Sequence, residues 1–134
     1  VQITYANRVL VTYSLNATAP YEGQSIVFNG SKGRIDVRNY NRQPWKVPHE
    51  SEIRLTRNFK DSTVITADPQ RGDVFEHGGA DQRIKRMVFD HSEPDPLFQR
   101  AGLRAGILSS AIGIAGYTSI DTGRPVRIDE VVRL

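Results

Sequence analysis

The chain has no cysteine in its 134 residues. Disulfides, zinc–thiolate sites, iron–sulfur clusters and a thiol nucleophile are therefore excluded. It has no apolar run near the ~18–20 residues that a membrane span requires, and its N-terminus lacks the charged-then-apolar pattern of a signal peptide. A cytoplasmic protein is expected. Charge of one sign is also scarce: 18 Lys plus Arg stand against 15 Asp plus Glu, a formal charge of +3. The signs alternate along the chain, so the basic stripe of a nucleic-acid binder is missing and no nucleic-acid partner is expected. What remains is 38% hydrophobic and 25% charged, with a mean hydropathy of −0.45. That composition folds as one globular domain, residues 1–134.

Catalytic fingerprints are missing too. No Gly-x-Gly-x-x-Gly occurs, hence no dinucleotide-binding turn. Asn29-Gly30-Ser31-Lys32-Gly33 lacks phosphate-loop spacing and reads as a hairpin turn. Ser109-Ser110 has no Gly-x-Ser-x-Gly context. His49, His77 and His91 show no ligand spacing, so no metal site is expected. Asn16-Ala17-Thr18 fits a glycosylation acceptor, which has no meaning outside a secretory context.

The chain begins with Val1, and Val1-Gln2-Ile3-Thr4-Tyr5 already reads as a strand, which suggests a piece of a longer protein. Further strands are expected at Val9–Leu15, Gly23–Asn29, Arg34–Arg38, Glu52–Arg57 and Ser62–Thr66, with β-branched residues or period-two alternation in each. Residues 41–51 carry Pro44, Trp45 and Pro48 and read as an ordered loop. The second half turns helical. Ile84, Met87 and Val88 form a stripe within Ala80–Asp90, and a second helix is expected from about Leu97 to Ile120, stopped by Gly123 and Pro125. Val126–Ile128 reads as a last short strand. The second helix interleaves Gly102, Gly106, Gly113 and Gly116 with Ala101, Ala105, Ala111 and Ala115. Such a smooth side suits close packing, which offsets the ~1 kcal/mol each glycine costs against alanine.

Two clusters could carry chemistry. Glu76-His77-Gly78-Gly79-Ala80-Asp81 precedes the first helix. His77 could act as acid, base or ligand, and Gly78 and Gly79 would admit a bound molecule close to the backbone. The same residues equally suit a flexible loop, with Asp81 favoured near a helix start. Tyr21-Glu22-Gly23 follows Pro20 and either presents Tyr21 and Glu22 to a cleft or forms a surface turn around a packed tyrosine.

Taken together, these segments resemble the C-terminal domain of the Gfo/Idh/MocA family of NAD(P)-dependent oxidoreductases. The carrying residues are Tyr5–Ser14, Pro20-Tyr21-Glu22-Gly23, Phe28-Asn29-Gly30-Ser31-Lys32-Gly33-Arg34-Ile35, His77-Gly78-Gly79-x-Asp81 and Ser119–Val126. The family usually has glycine where Arg8 stands. The resemblance implies an α+β fold like the C-terminal domain of dihydrodipicolinate reductase: an open, mostly antiparallel sheet with two main helices packed on one face. It implies a substrate-binding and oligomerisation domain for a sugar or polyol, forming a homodimer or tetramer through the sheet face. A missing N-terminal Rossmann domain would bind NAD or NADP, and no cofactor would be bound by this chain alone. The resemblance places the family's catalytic Glu-Lys-Pro and Asp-x-x-x-His motifs upstream of Val1, so no catalytic residue transfers. Substrate-binding candidates are His77, Gly78, Gly79, Asp81, Tyr21 and Glu22. Two alternatives stand beside this reading: a self-association or partner-binding module without catalysis, and part of an NAD-dependent glycoside hydrolase of the same superfamily.

Overall fold

Period-two alternation and well-placed turn residues shape the first half of the chain into antiparallel strands, and the second half is helical. The computed structural model describes residues 1–67, 80–90 and 94–133. The fold is α+β. Its contacts divide it into two compact units, Asn16–Asp90 and Val1–Leu15 with His91–Leu134.

The Asn16–Asp90 unit holds a four-stranded antiparallel sheet of β3 (Glu22–Gly30), β4 (Gly33–Arg42), β5 (Ser51–Arg57) and β6 (Ser62–Ala67), in that order. β1 (Gln2–Thr4) and β2 (Leu10–Thr12) belong to the other unit. The β3–β4 turn is Ser31-Lys32, as the sequence pattern predicts. β4 runs four residues further than its alternation suggested, because Asn39, Tyr40 and Arg42 still find partners on β3 and β5. The register sorts the side chains by polarity. Ile26, Val37, Ile53 and Ile65 stand opposite one another across the four strands, as do Phe28, Ile35, Leu55 and Thr63. The opposite face carries Ser25, Arg38, Glu52 and Thr66, and next to them Val27, Asp36, Arg54 and Val64. On that charged face Arg34 grips Asp36 through Nε and Nη2, at 2.6–2.9 Å, and Arg54 donates to Glu52 at 3.0 Å. The apolar face stays open, with Phe28 59% and Ile65 53% exposed. The unit also contains α1 (Ala80–Phe89), with Asp81 in its first turn and Arg86 in its last, the arrangement that the helix dipole favours.

In the other unit β1 and β2 pair antiparallel, joined by a turn in which Arg8 has φ 67°. That left-handed backbone accounts physically for the glycine that the resembled family has at this position. α2 spans Leu103–Thr122, starting six residues later than the sequence suggested. The delay comes from Asp95, whose carboxylate accepts the amides of Gln99 and Arg100 at 2.7 and 2.8 Å, while Phe98 adopts φ 52°. This local turn closes before helical hydrogen bonding begins. The helix ends as expected, with Gly123 at φ 67° donating to the Ser119 carbonyl at 2.9 Å. Only the middle of its small-residue side is buried, at Ala111, Ala115 and Gly116, and the Val1 methyl groups lie 3.7–3.8 Å from where a Gly116 Cβ would stand.

The expected strand at Val126–Ile128 is a correction. Ile128–Val131 forms a short helix, α3. Glu130 decides the outcome: its Oε1 accepts the Arg127 amide at 2.9 Å, and its Oε2 takes Arg124 at 2.8 Å. A carboxylate three residues past the cap satisfies the helix start, which a strand would not need.

Four carboxyl groups are held below their usual range by donors. Arg34 lowers Asp36, the Arg100 and Gln99 amides lower Asp95, Arg127 lowers Asp129, and Arg124 with the Arg127 amide lowers Glu130. A group lowered in the folded state stabilises fully above its unfolded value and loses that contribution as pH falls through the folded one. The melting temperature should therefore hold steady from pH 7 to about 5 and fall below about pH 4. Asp95→Asn should flatten the acid limb in a thermal scan against pH. Two backbone positions give opposite signs in urea unfolding. Arg8→Gly removes a left-handed penalty of ~1–2 kcal/mol and adds ~0.5–1 kcal/mol of chain entropy, so a net gain near 0.5–1 kcal/mol is expected. Gly33→Ala would drive a Cβ into the Thr56 carbonyl oxygen on β5 and should cost at least ~2 kcal/mol.

Candidate functional site

Tyr21 and Glu22 sit where β3 begins, and the local backbone explains what gathers around them. Glu22 pairs with Arg42 and Gly23 with Tyr40, so Asn41 is the extra residue of a β-bulge. Glycine is required at position 23. A Cβ there would stand 2.6 Å from the Asn39 carbonyl oxygen and 3.5 Å from the Tyr21 ring. The bulge is braced from the β5 side. Ser51 Oγ donates to Asn39 Oδ1 at 2.7 Å, Asn39 Nδ2 donates to Asn41 Oδ1 at 2.9 Å, and the Tyr40 amide donates to the Glu50 carbonyl at 2.8 Å.

Across the missing side chain of Gly23, Tyr21 and Tyr40 approach with ring centroids 6.1 Å apart. Trp45, from the loop after β4, closes the group edge to face at 5.2 Å from Tyr21 and 5.9 Å from Tyr40. Tyr21 and Trp45 each remain 43% exposed. Glu22 and Arg42 stand directly opposite one another on β3 and β4, both exposed, and strand alternation puts them on the other face of the sheet from Gly23 and Tyr40. Among the described residues, neither charged side chain has a hydrogen-bond or ion-pair partner.

Of the residues singled out from sequence, this arrangement takes in Tyr21, while Glu22 follows it in the chain on the opposite face of the sheet. Asp81 lies half-buried in the first turn of α1. His77, Gly78 and Gly79 lie outside the described residues, so the proposed His-Gly-Gly-x-Asp grouping does too. Sequence reasoning missed Tyr40 and Trp45. The available signal was Gly23 inside a strand, which often marks a bulge or a close approach.

The Val1–Leu15 and His91–Leu134 unit contains a cleft of about 930 Å³ between β1, α2 and residues 125–133. Leu108, Ile112 and Val126 supply apolar wall, and Arg127 and Asp129 on its rim bond to each other. Among the described residues no cluster of His, Asp or Glu could hold a metal ion. No helix among them is long and apolar enough to cross a membrane.

No protein-family model matches the chain, and no solved structure matches it. The chain is similar to a protein of Bacillus subtilis (strain 168) named "Putative oxidoreductase YteT", with 28% identity over 136 residues. The similarity covers 98% of this chain and 31% of that protein, so the chain spans about a third of its relative's length.

The bulge and the aromatic trio should stand or fall together. Gly23→Ala should red-shift the emission of Trp45, the sole tryptophan, and lower the urea midpoint, whereas Ser25→Ala in the same strand should leave the emission maximum in place. Fluorescence spectra of the two variants check this.

Proposed function

We propose that this chain is the substrate-binding and self-association part of a larger NAD(P)-dependent oxidoreductase acting on a sugar or polyol. The observation that carries the reading is the span of the similarity. Nearly the whole chain aligns with about a third of a protein whose name says oxidoreductase, which leaves room for further domains in a protein of that kind. The ordered motifs from Tyr5 to Val126 support the same assignment by their resemblance to Gfo/Idh/MocA C-terminal domains.

The residues present do not suit a dinucleotide. Every strand pair is antiparallel among the described residues, whereas a nicotinamide dinucleotide is seated at the switch point of a parallel sheet. In this reading NAD or NADP is held by residues outside the chain, and hydride chemistry belongs there. The part played by these residues is binding and orientation. Tyr21, Tyr40 and Trp45 would provide an apolar surface for the substrate, with Tyr21 and Glu22 as the candidates this part of the chain offers. His77, Gly78, Gly79 and Asp81 remain substrate-binding candidates through the resemblance alone.

Self-association through the sheet is supported by the row of Ile26, Phe28, Ile35, Leu55 and Ile65 on one face. Contiguous exposed apolar surface is characteristic of interfaces. The same observation favours a second reading, a module that assembles without catalysis.

One experiment separates the two. The complete gene product should quench on titration with NADH or NADPH and elute from a sizing column as a dimer or tetramer. Assembly without nicotinamide binding would leave the non-catalytic module, and a monomer that binds neither cofactor would overturn both.

A further inference from the structure

The hairpin of β1 and β2 leaves one of its two edges along a cleft. The main chains of Val1 and Tyr13 exchange both bonds of a pair, at 2.8 and 2.9 Å, and the Tyr5 amide donates to the Val9 carbonyl at 2.9 Å. Hydrogen-bonded pairs alternate with open ones along an antiparallel ladder. Val1, Ile3 and Tyr5 therefore turn their main-chain groups toward β2, and Gln2 and Thr4 turn theirs the other way. The N–H and C=O groups of Gln2 and Thr4 thus form the outer edge of β1, and no described residue bonds to them.

That edge, and not a face of the hairpin, borders the cleft of about 930 Å³. Every residue from Val1 to Ala6 lines it and no residue of β2 does. A sheet face turned toward a cavity would present alternate residues, and those of the neighbouring strand with them. Across the cleft, α2 supplies Leu108 and Ile112, and Val126 and Val132 complete the apolar wall. The stretch of α2 that lines it, from Arg104 to Ser119, is ~22 Å long at helical rise, about the length of seven residues of extended chain. Charge gives the cleft a preference. Arg104 and Arg133 line it without a hydrogen-bond or ion-pair partner among the described residues, whereas Arg127 is held by Asp129.

An open row of main-chain donors and acceptors is met best by another extended backbone, whose alternate side chains would then turn toward α2. We infer that the cleft between β1 and α2 is a docking groove in which an extended segment of a partner protein, apolar at alternate positions and carrying acidic residues, adds to β1 as a third strand. The main-chain bonds hold the segment, the apolar wall accepts one set of its side chains, and the two uncommitted arginines select for carboxylates. The groove is separate from the candidate substrate site and needs neither nicotinamide nor any residue of the larger sheet.

Amide exchange reads the edge directly. In the complete gene product the Gln2 and Thr4 amides should exchange with solvent fast and the Ile3 and Tyr5 amides slowly. Protection of Gln2 and Thr4 without added ligand would overturn the inference, because the gene product's own residues or a second copy would then fill the groove. The probe is a fluorescein-labelled peptide, Asp-Val-Thr-Val-Thr-Val-Glu-amide, titrated by anisotropy. Saturable binding is expected, with Gln2 and Thr4 becoming protected. N-methylation of alternate peptide amides should abolish binding in one phase and spare it in the other, since only one set faces β1. Thr4→Pro removes an edge N–H that the ladder with β2 does not use, so it should weaken the peptide about tenfold and leave the melting temperature in place. Thr12→Pro, the same change on the outer edge of β2, should leave binding as it was. Arg104→Gln and Arg133→Gln should each weaken the peptide about threefold, a difference that vanishes when its Asp and Glu are replaced by Asn and Gln. No saturable binding, equal binding by both N-methylated forms, or undiminished binding by Thr4→Pro would each overturn the inference. None of these readouts involves NAD(P), so a failure of cofactor binding in the complete gene product leaves them intact.

Discussion

The register of the β3–β6 sheet is the constraint on which the rest of that unit depends. Side chains in a strand alternate faces, so a slip of one residue would move every one of them to the other side. The tight turn between Gly30 and Gly33 fixes the count, and Gly33 must be glycine because β5 passes over it at the Thr56 carbonyl. From that single setting follow the apolar rows through Val37 and Ile35, the ion pairs around Asp36 and Arg54, and the meeting of Tyr40 with Gly23. The aromatic trio is thus a product of a turn ten residues away. At Gly23 the second adjustment, one extra residue at Asn41, lets β4 curl enough for Trp45 to reach both tyrosines.

Much of this was legible in the sequence where the signals are local. Ile35 and Val37 alternating with Arg34, Asp36 and Arg38 specify a strand with one wet face, and Gly123 marks a helix stop by backbone geometry alone. The readings that went astray depend on a side chain reaching across several residues. Asp95 postpones α2 by capturing two amides four and five positions ahead. Glu130 turns an expected strand into α3 by reaching back to Arg127. β-propensity at Val126 and Ile128 carries no information about that bond. The site was half legible for the same reason. Tyr21 and Glu22 stand out beside Pro20 and Gly23, but the ring contacts to Tyr40 and Trp45 arise from pairing across β3 and β4, which no window of neighbouring residues contains.

The charges divide into two populations. Arg34–Asp36, Arg54–Glu52, Arg124–Glu130 and Arg127–Asp129 are all separated by two or six positions in sequence and bond within their own element or its flank. Being exposed, such pairs contribute little each to stability, and they serve to order short stretches of backbone. Glu22 and Arg42 are of the other kind: a cross-strand couple at the rim of the sheet, left open to solvent. A net charge of +3 hides this difference, because it depends on where each charge is held and not on how many there are.

β6 has a consequence of its own. It is the last strand in the order β3-β4-β5-β6 and reads Ser62-Thr63-Val64-Ile65-Thr66-Ala67, exposed along its whole length. Nothing in it blunts a sheet edge: there is no lysine, no proline, no bulge and no charge. Six uncharged residues rich in β-branched side chains are also the composition that stacks into cross-β ladders. Among the described residues that short uncharged border is thus a second sticky feature of the sheet, beside its apolar face, and overall basicity says nothing of either. A single lysine on that border would blunt it as an edge while changing the net charge by only one.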